Sequence, residues 1–244
     1  MDINVSSFQL KDNLNPKIWD NDQSLNSRVR QHLEKIAKVF ITKTKIPTGV
    51  ISDIILTGSL AGYNWSNYSD VDLHVIVDYS KIKGNKELIK KLFDNERKLW
   101  NEHHEIKMFE YTVEVYVQDK IEHHVSAGTY SILEDRWLSK PEKENFVINK
   151  EEIKRKAISF AKKIISLEKE VSQETINLDK LETKAANLKD KIKNMRAAGL
   201  EKGGELSIEN LVFKALRRNG FLEKLINIKT DALDKNLSLS EIKF

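Results

Sequence analysis

The stretch LTGSLAGYNWSNYSDVDLHVIVD, residues 56–78, decides how this chain is read. An apolar run rich in Ile and Val, residues 50–57, ends at Gly58-Ser59 and reads as a short strand. Residues 60–65 read as a short helix or turn, and residues 64–69 as a polar loop. Asp70 and Asp72 then open a second strand over residues 71–77. Alternate residues of a strand share a face. The two carboxylates therefore point the same way, with Val71 and Leu73 turned towards the core.

This pattern suits binding of a divalent cation and a triphosphate. Mg²⁺ prefers oxygen ligands, taking one or two carboxylates together with phosphate oxygens and waters. Gly58 lacks a Cβ, so the backbone can approach phosphates closely. Ser59 adds a hydroxyl, and a helix beginning there would aim its free N–H groups at an anion. A third acid from a neighbouring strand would complete such a set, and in YTVEVYV, residues 111–117, Glu114 lies on the face opposite the valines. Tyr63, Trp65 and Tyr68 flank the aspartates, where one could stack on a base. His74 shares the face of Asp70 and Asp72, either orienting a carboxylate or filling the sheet.

Outward from this centre, residues 1–22 read as an irregular arm with a few apolar anchors. Residues 25–42 have helical spacing through Val29, Leu33, Ile36, Ala37, Phe40 and Ile41, with Ser24 as N-cap. Residues 84–105 read as a helix whose stripe is Leu88, Leu92, Leu99 and Trp100. Residues 125–133 and 136–138 suggest a hairpin turning at Glu134-Asp135.

After Pro141 the composition shifts to Lys, Glu, Ile, Leu and Ala. Two long helices are expected over residues 150–169 and 173–198, then a loop at Gly199, Gly203 and Gly204. A further helix capped by Ser207 runs to about residue 228, and a sparse apolar tail follows from residue 231. The stripe through Leu167, Val171, Ile176, Leu178, Leu181, Ala185, Leu188 and Ile192 reads as core or as a coiled-coil pair, which leaves room for an oligomer contact. Lys214, Arg217 and Arg218 share one helix face at i, i+3, i+4. Without acids at those offsets they repel unless an anion binds, and Arg196 and Lys202 could join the same patch. His103-His104 reads as a cationic helix end. His123-His124 follows the Glu114 strand and could reach the rim of the site.

Whole-chain properties agree with a globular protein. The chain has 244 residues, 40% hydrophobic and 32% charged, with a net charge of +4 and no cysteine. Disulfides and thiolate zinc sites are excluded, and a reducing cytoplasmic setting is expected. No apolar run approaches the ~20 residues of a membrane span, and no secretory signal pattern opens the chain. The mild basic excess permits a nucleic-acid partner without arguing for one.

An apolar strand ending in Gly-Ser, followed by Asp-x-Asp opening the next strand, resembles the polymerase β-type nucleotidyltransferase superfamily. The stretches DVDLHVIVD, VEVYVQD, GTYSILEDRWLSKP and GGELSIENLVFKALRRNGFLEKL are also similar to nucleotidyltransferases encoded by tailed bacteriophages. The resemblance implies an α+β fold: a mixed small sheet with flanking helices, residues 1–145, then a helical domain, residues 146–244, closing a nucleotide cleft. It implies that Gly58 and Ser59 contact the nucleotide phosphates and that Asp70, Asp72 and Glu114 hold Mg²⁺ or Mn²⁺. Glu114 is the best match to the family's third acid; the family more often has Asp there, and Glu reaches one methylene further, so Asp119, read as lying past the strand end, is the fallback. Lys214, Arg217 and Arg218 would neutralise phosphate charge. The implied activity moves a nucleoside monophosphate from a nucleoside triphosphate, such as ATP, to an acceptor hydroxyl on RNA, protein or a small molecule. A phage origin would put the protein in the host cytoplasm. The alternative is a catalytically silent copy of the fold, serving as a phage structural or host-interaction protein.

Overall fold

The computed structural model describes residues 1–122, 126–143, 147–171 and 177–238. The chain divides into two compact units, residues 9–146 and residues 1–8 with 147–244. The first eight residues thus belong with the helical unit, where Ile3, Val5 and Phe8 enter the core. No described helix is long and apolar enough to cross a membrane.

The first unit is α+β. Its elements are α1 (Ser27–Lys43), β1 (Ile51–Thr57), β2 (Val71–Val77), α2 (Lys86–His103), β3 (Lys107–Met108), β4 (Tyr111–Asp119), β5 (Thr129–Ser131) and β6 (Arg136–Ser139). The strands form one six-stranded sheet in the order β3-β4-β2-β1-β5-β6. β2 and β4 are parallel, joined through α2, and the other neighbours are antiparallel. The mixed sheet expected from the sequence is present, with β3 as an added strand.

Alternation gives the sheet two unlike faces. Leu56, Leu73, Val75, Val113 and Val115 are buried on one face, in a cluster with Val29, Leu33, Ala37 and Phe40 of α1. Ile89, Phe93 and Trp100 of α2 join them, and Phe40 meets Trp100 edge-on at 5.4 Å. Trp100 of the expected stripe is buried, and the other three expected positions give way to their neighbours. Leu88, Leu92 and Leu99 are 65%, 55% and 49% exposed. The 88/92/99 and 89/93/100 sets have the same helical spacing, and the bulkier set took the core. Asn101 at the end of α2 closes the outer edge of β4: its Nδ2 donates to the Val115 carbonyl and its Oδ1 accepts the Val115 N–H, both at 3.0 Å. An edge strand otherwise presents unpaired backbone groups.

Helix starts also differ from expectation. Asn26, not Ser24, caps α1 by accepting the Arg28 N–H, because the chain is still extended at Leu25, which bridges Trp19. Asn85 caps α2 through the Glu87 and Leu88 amides.

The helical unit contains α3 (Lys150–Val171), α4 (Leu178–Gly203), α5 (Ile208–Arg218) and α6 (Phe221–Leu237). Gly199 does not end a helix. A Cβ there would lie 2.5 Å from the Glu209 Cβ, so this glycine admits the start of α5 while α4 continues to Gly203. The single helix expected after Ser207 is two helices, broken where Gly220 takes a left-handed φ of 75°. The Gly199–Gly204 loop is thus reduced to the turn at residues 204–206. Leu167, Leu181, Ala185 and Ile192 are buried among these helices, with Val171 and Leu188 packed beside them. Ile176 of the expected stripe lies outside the described residues.

Candidate active site

The polar face of the sheet carries the candidate site. Antiparallel pairing sets Thr57 opposite Asp72. Parallel pairing sets Asp72 beside Glu114. One row across three strands is therefore Thr57, Asp72, Glu114. The next row on the same face is Ile55, His74, Tyr116. The register also separates the two candidates for the third acid. β4 does not end at Val117 but runs to Asp119, which pairs with Val77 at the other end of β2. Asp119 lies five residues from Glu114 and so on the opposite face, where its Oδ1 accepts the Tyr79 N–H at 3.4 Å.

Gly58 bends the chain tightly against this row. Its φ of 74° and ψ of −162° are accessible essentially only to glycine. A Cβ there would sit 1.9 Å from Asp72 Oδ2, so the backbone at Gly58 and the Asp72 carboxylate are in direct apposition. The turn after it, Ser59–Ala61, is a single 3₁₀ turn, too short for a helix terminus of any strength. The Gly58 N–H donates to Ser126 Oγ at 3.1 Å, and Ser126 Oγ donates to the Gly128 carbonyl at 2.9 Å. Thr57 Oγ1 also donates to the Gly128 carbonyl, at 3.1 Å. Ser59 Oγ pairs with Ser69 Oγ at 2.8 Å, and Ser69 Oγ accepts the Ser66 N–H at 3.0 Å. The segment before Asp70 is thereby tied to the Gly58-Ser59 turn. Ser69 and Ser126 escaped the sequence reading. The turn composition of Ser126-Ala127-Gly128, placed within an expected strand, was the available signal.

Tyr116 supports Glu114. Its hydroxyl donates to Glu114 Oε2. Burial pushes the phenol well above its usual pKa, and the charges of Glu114 and Asp72 push the same way, so it stays a donor at any working pH. The Arg97 guanidinium lies 4.8 Å from the Tyr116 ring centroid. His74 is buried, with Nδ1 2.8 Å from Gln118 Oε1 and its ring 4.8 Å from that of Tyr116. Trp65 and Tyr63 bind the N-terminal arm: Trp65 Nε1 donates to the Asn13 carbonyl at 2.9 Å, and Gln23 Nε2 donates to the Tyr63 hydroxyl at 3.4 Å. Tyr68 is 53% exposed and is the flanking aromatic open to a ligand.

The donor set is all oxygen, which fits a hard divalent cation. Among the described residues no three His, Cys, Asp or Glu side chains converge on one point. A cation at Asp72 and Glu114 would therefore complete its shell from waters and substrate phosphate. Mg²⁺ commonly does so.

Lys214, Arg217 and Arg218 sit on α5, within the helical unit. Lys214 Nζ lies 3.6 Å from Glu205 Oε2. That acid comes from the preceding turn, outside the helical offsets considered from sequence. Arg218 donates to Ser7 Oγ at 2.8 Å and covers the Phe8 ring at 4.7 Å, which ties down the N-terminal segment. Arg196 donates to Asn210 Oδ1 at 3.2 Å and covers Phe213 at 4.2 Å. His104 ends α2 with its ring 4.2 Å from that of Trp100. His123-His124 lies outside the described residues. No family model, curated protein or solved structure matches the chain.

Proposed function

We propose that the unit of residues 9–146 is a nucleotidyltransferase core of the polymerase β type, working on a nucleoside triphosphate. The observation that carries this reading is the row Asp72–Glu114 with the Gly58 backbone pressed against the Asp72 carboxylate. Two carboxylates in adjacent register repel one another, and a divalent cation turns that repulsion into binding energy.

Asp72 and Glu114 would hold Mg²⁺ or Mn²⁺, and Asp70, two residues upstream of Asp72, would join them only by moving as the ion binds. Bound there, the ion supplies charge neutralisation for the triphosphate and lowers the pKa of an attacking hydroxyl. The chain's own groups position the reactants. Gly58 leaves room for phosphate beside the carboxylates, Ser59 and Ser69 offer hydroxyls at the turn, and Tyr116 holds Glu114 in its rotamer. An acceptor oxygen forms the new bond to the α-phosphorus, the bond to the β-phosphate bridging oxygen breaks, and pyrophosphate leaves. RNA, protein and small-molecule hydroxyls all satisfy this chemistry.

The test is incubation with each of the four α-labelled nucleoside triphosphates, with Mg²⁺ or Mn²⁺, and with RNA and protein extracts as acceptors. Labelled acceptor is expected with the parent protein and not with Asp72→Asn. Equal labelling by that variant overturns the reading. A parent that binds Mn²⁺ and triphosphate yet labels nothing would be a silent copy of the fold.

A further inference from the structure

The apolar side of the same unit carries a groove that the proposed chemistry does not use. It has a volume of about 850 Å³ and runs along α1, past the end of α2, to the β3–β4 hairpin. Val29, Trp100 and Met108 are buried at its floor, and Ile36 is half-buried beside them. Arg28, His32 and Lys35 of α1 form one rim. Lys17, His104 and Lys107 line the groove as well. No acidic side chain is among its lining residues. Lys17 and Lys107 hold exposed glutamates that do not line it, Glu110 at 2.8 Å and Glu105 at 2.7 Å. Exposed pairs of this kind are worth little and exchange readily.

We infer that this groove docks an acidic amphipathic helix of a protein partner, apolar face down. Charge complementarity decides the occupant. Arg28 and Lys35 lie on one face of α1, seven residues and about 10 Å apart at 1.5 Å rise per residue, with the polar His32 between them. A single anionic head group would need one cluster of cations, not a row. Single-stranded RNA would need open aromatic faces on which bases stack. Here Trp100 is only 9% exposed, and Phe109, 57% exposed at the rim, is a single open ring where a strand of bases needs successive ones. An acidic helix matches both features, with aliphatic side chains for the floor and glutamates for the cations. The volume takes a row of such side chains and leaves the helix's outer face in solvent. Helix-in-groove recognition uses anchors at i, i+3, i+4 and i+7.

The probe is a fluorescein-labelled designed peptide of about fifteen residues, with leucines at those positions and glutamates flanking them. Anisotropy titrations use the full chain. The peptide is expected to bind, and a scrambled peptide of equal composition to bind at least about tenfold more weakly. Reversing two rim cations together, Arg28→Glu with Lys35→Glu, is expected to weaken binding about tenfold and to flatten its salt dependence. Both residues are exposed, so circular dichroism should match the parent. Val39→Asn, a neutral change at a position 42% exposed beside the floor, is the second variant and should weaken binding without a loss of salt dependence. The inference is overturned if the peptide does not bind, if the scrambled peptide binds equally, or if the double reversal changes nothing. It is also overturned if oligouridylate or dodecyl phosphate binds more tightly than the peptide and the double reversal abolishes that binding.

Discussion

β2 and β4 carry acids at both ends, and the neighbours of those acids differ. At the far end Asp78 is only 3% exposed. Its carboxylate takes the Lys120 ammonium at 2.7 Å and the Ser80 hydroxyl. Asp119, beside Val77, accepts the Tyr79 backbone. Those acids are closed by donors of the chain itself and hold a turn. At the near end Asp72 stands beside Glu114, acid next to acid, with glycine backbone against one carboxylate. Buried charge paired with charge is a structural device. Under the proposed function, carboxylates gathered on one face beside a residue without a Cβ would receive a cation and an anion. Residue type does not distinguish the two ends. Register does.

The largest effect that can break the comparison is on activity. Glu114→Gln keeps the shape and the Tyr116 contact but removes a charge. It is expected to lower nucleotide transfer about 10²–10³-fold, as loss of one transition-state contact commonly does. Asp119→Asn, on the other face, should leave transfer near the parent's. Single-turnover assays on both variants check this. If Asp119→Asn were the crippled one, the row Thr57–Asp72–Glu114 would not be the site.

Next in size is Gly58→Ala. The backbone at Gly58 costs a non-glycine residue about 1–3 kcal/mol. The methyl would in addition sit 1.9 Å from Asp72 Oδ2, so the carboxylate must move. Thermal unfolding should fall by several degrees, and transfer should fall in step with the displaced aspartate. A variant with parental stability and activity would mean that the turn does not press on Asp72.

Much of this was legible in the chain. The alternation in residues 71–77 and 111–117 gave both strands, and with them the face carrying Asp72 and Glu114. Their adjacency was not local information. It depends on β4 lying parallel to β2 after the α2 crossover, which sets the register. The same limit explains α2 itself, where Trp100 was legible but only tertiary packing chose Ile89 and Phe93 over Leu88 and Leu92. Gly199 read as a terminator, and its reason for being small lies on another helix. Lys214 read as needing an anion, and its acid, Glu205, comes from a turn outside the helical offsets. Ser126, which receives the Gly58 N–H, lies too far along the chain for any local pattern to join them.

The smallest effect concerns the far end and has a definite sign. Asp78 is held at about 2, below its ordinary 3.8, first by the Lys120 hydrogen bond and then by Ser80. A carboxyl depressed in the folded state adds stability that is complete above its unfolded value. That contribution drains away as pH falls from about 4 towards 2. Lys120→Met removes the main cause of the depression. The variant should therefore be less stable than the parent at neutral pH, and the gap should narrow as both are taken from pH 4 towards pH 2, where the parent's Asp78 also begins to protonate. Urea midpoints at pH 7, 4 and 2.5 measure it. A gap that stayed constant across those values would mean that Lys120 acts through its packed alkyl chain and not through its charge, and Asp78 would no longer stand as an acid held by an ion pair.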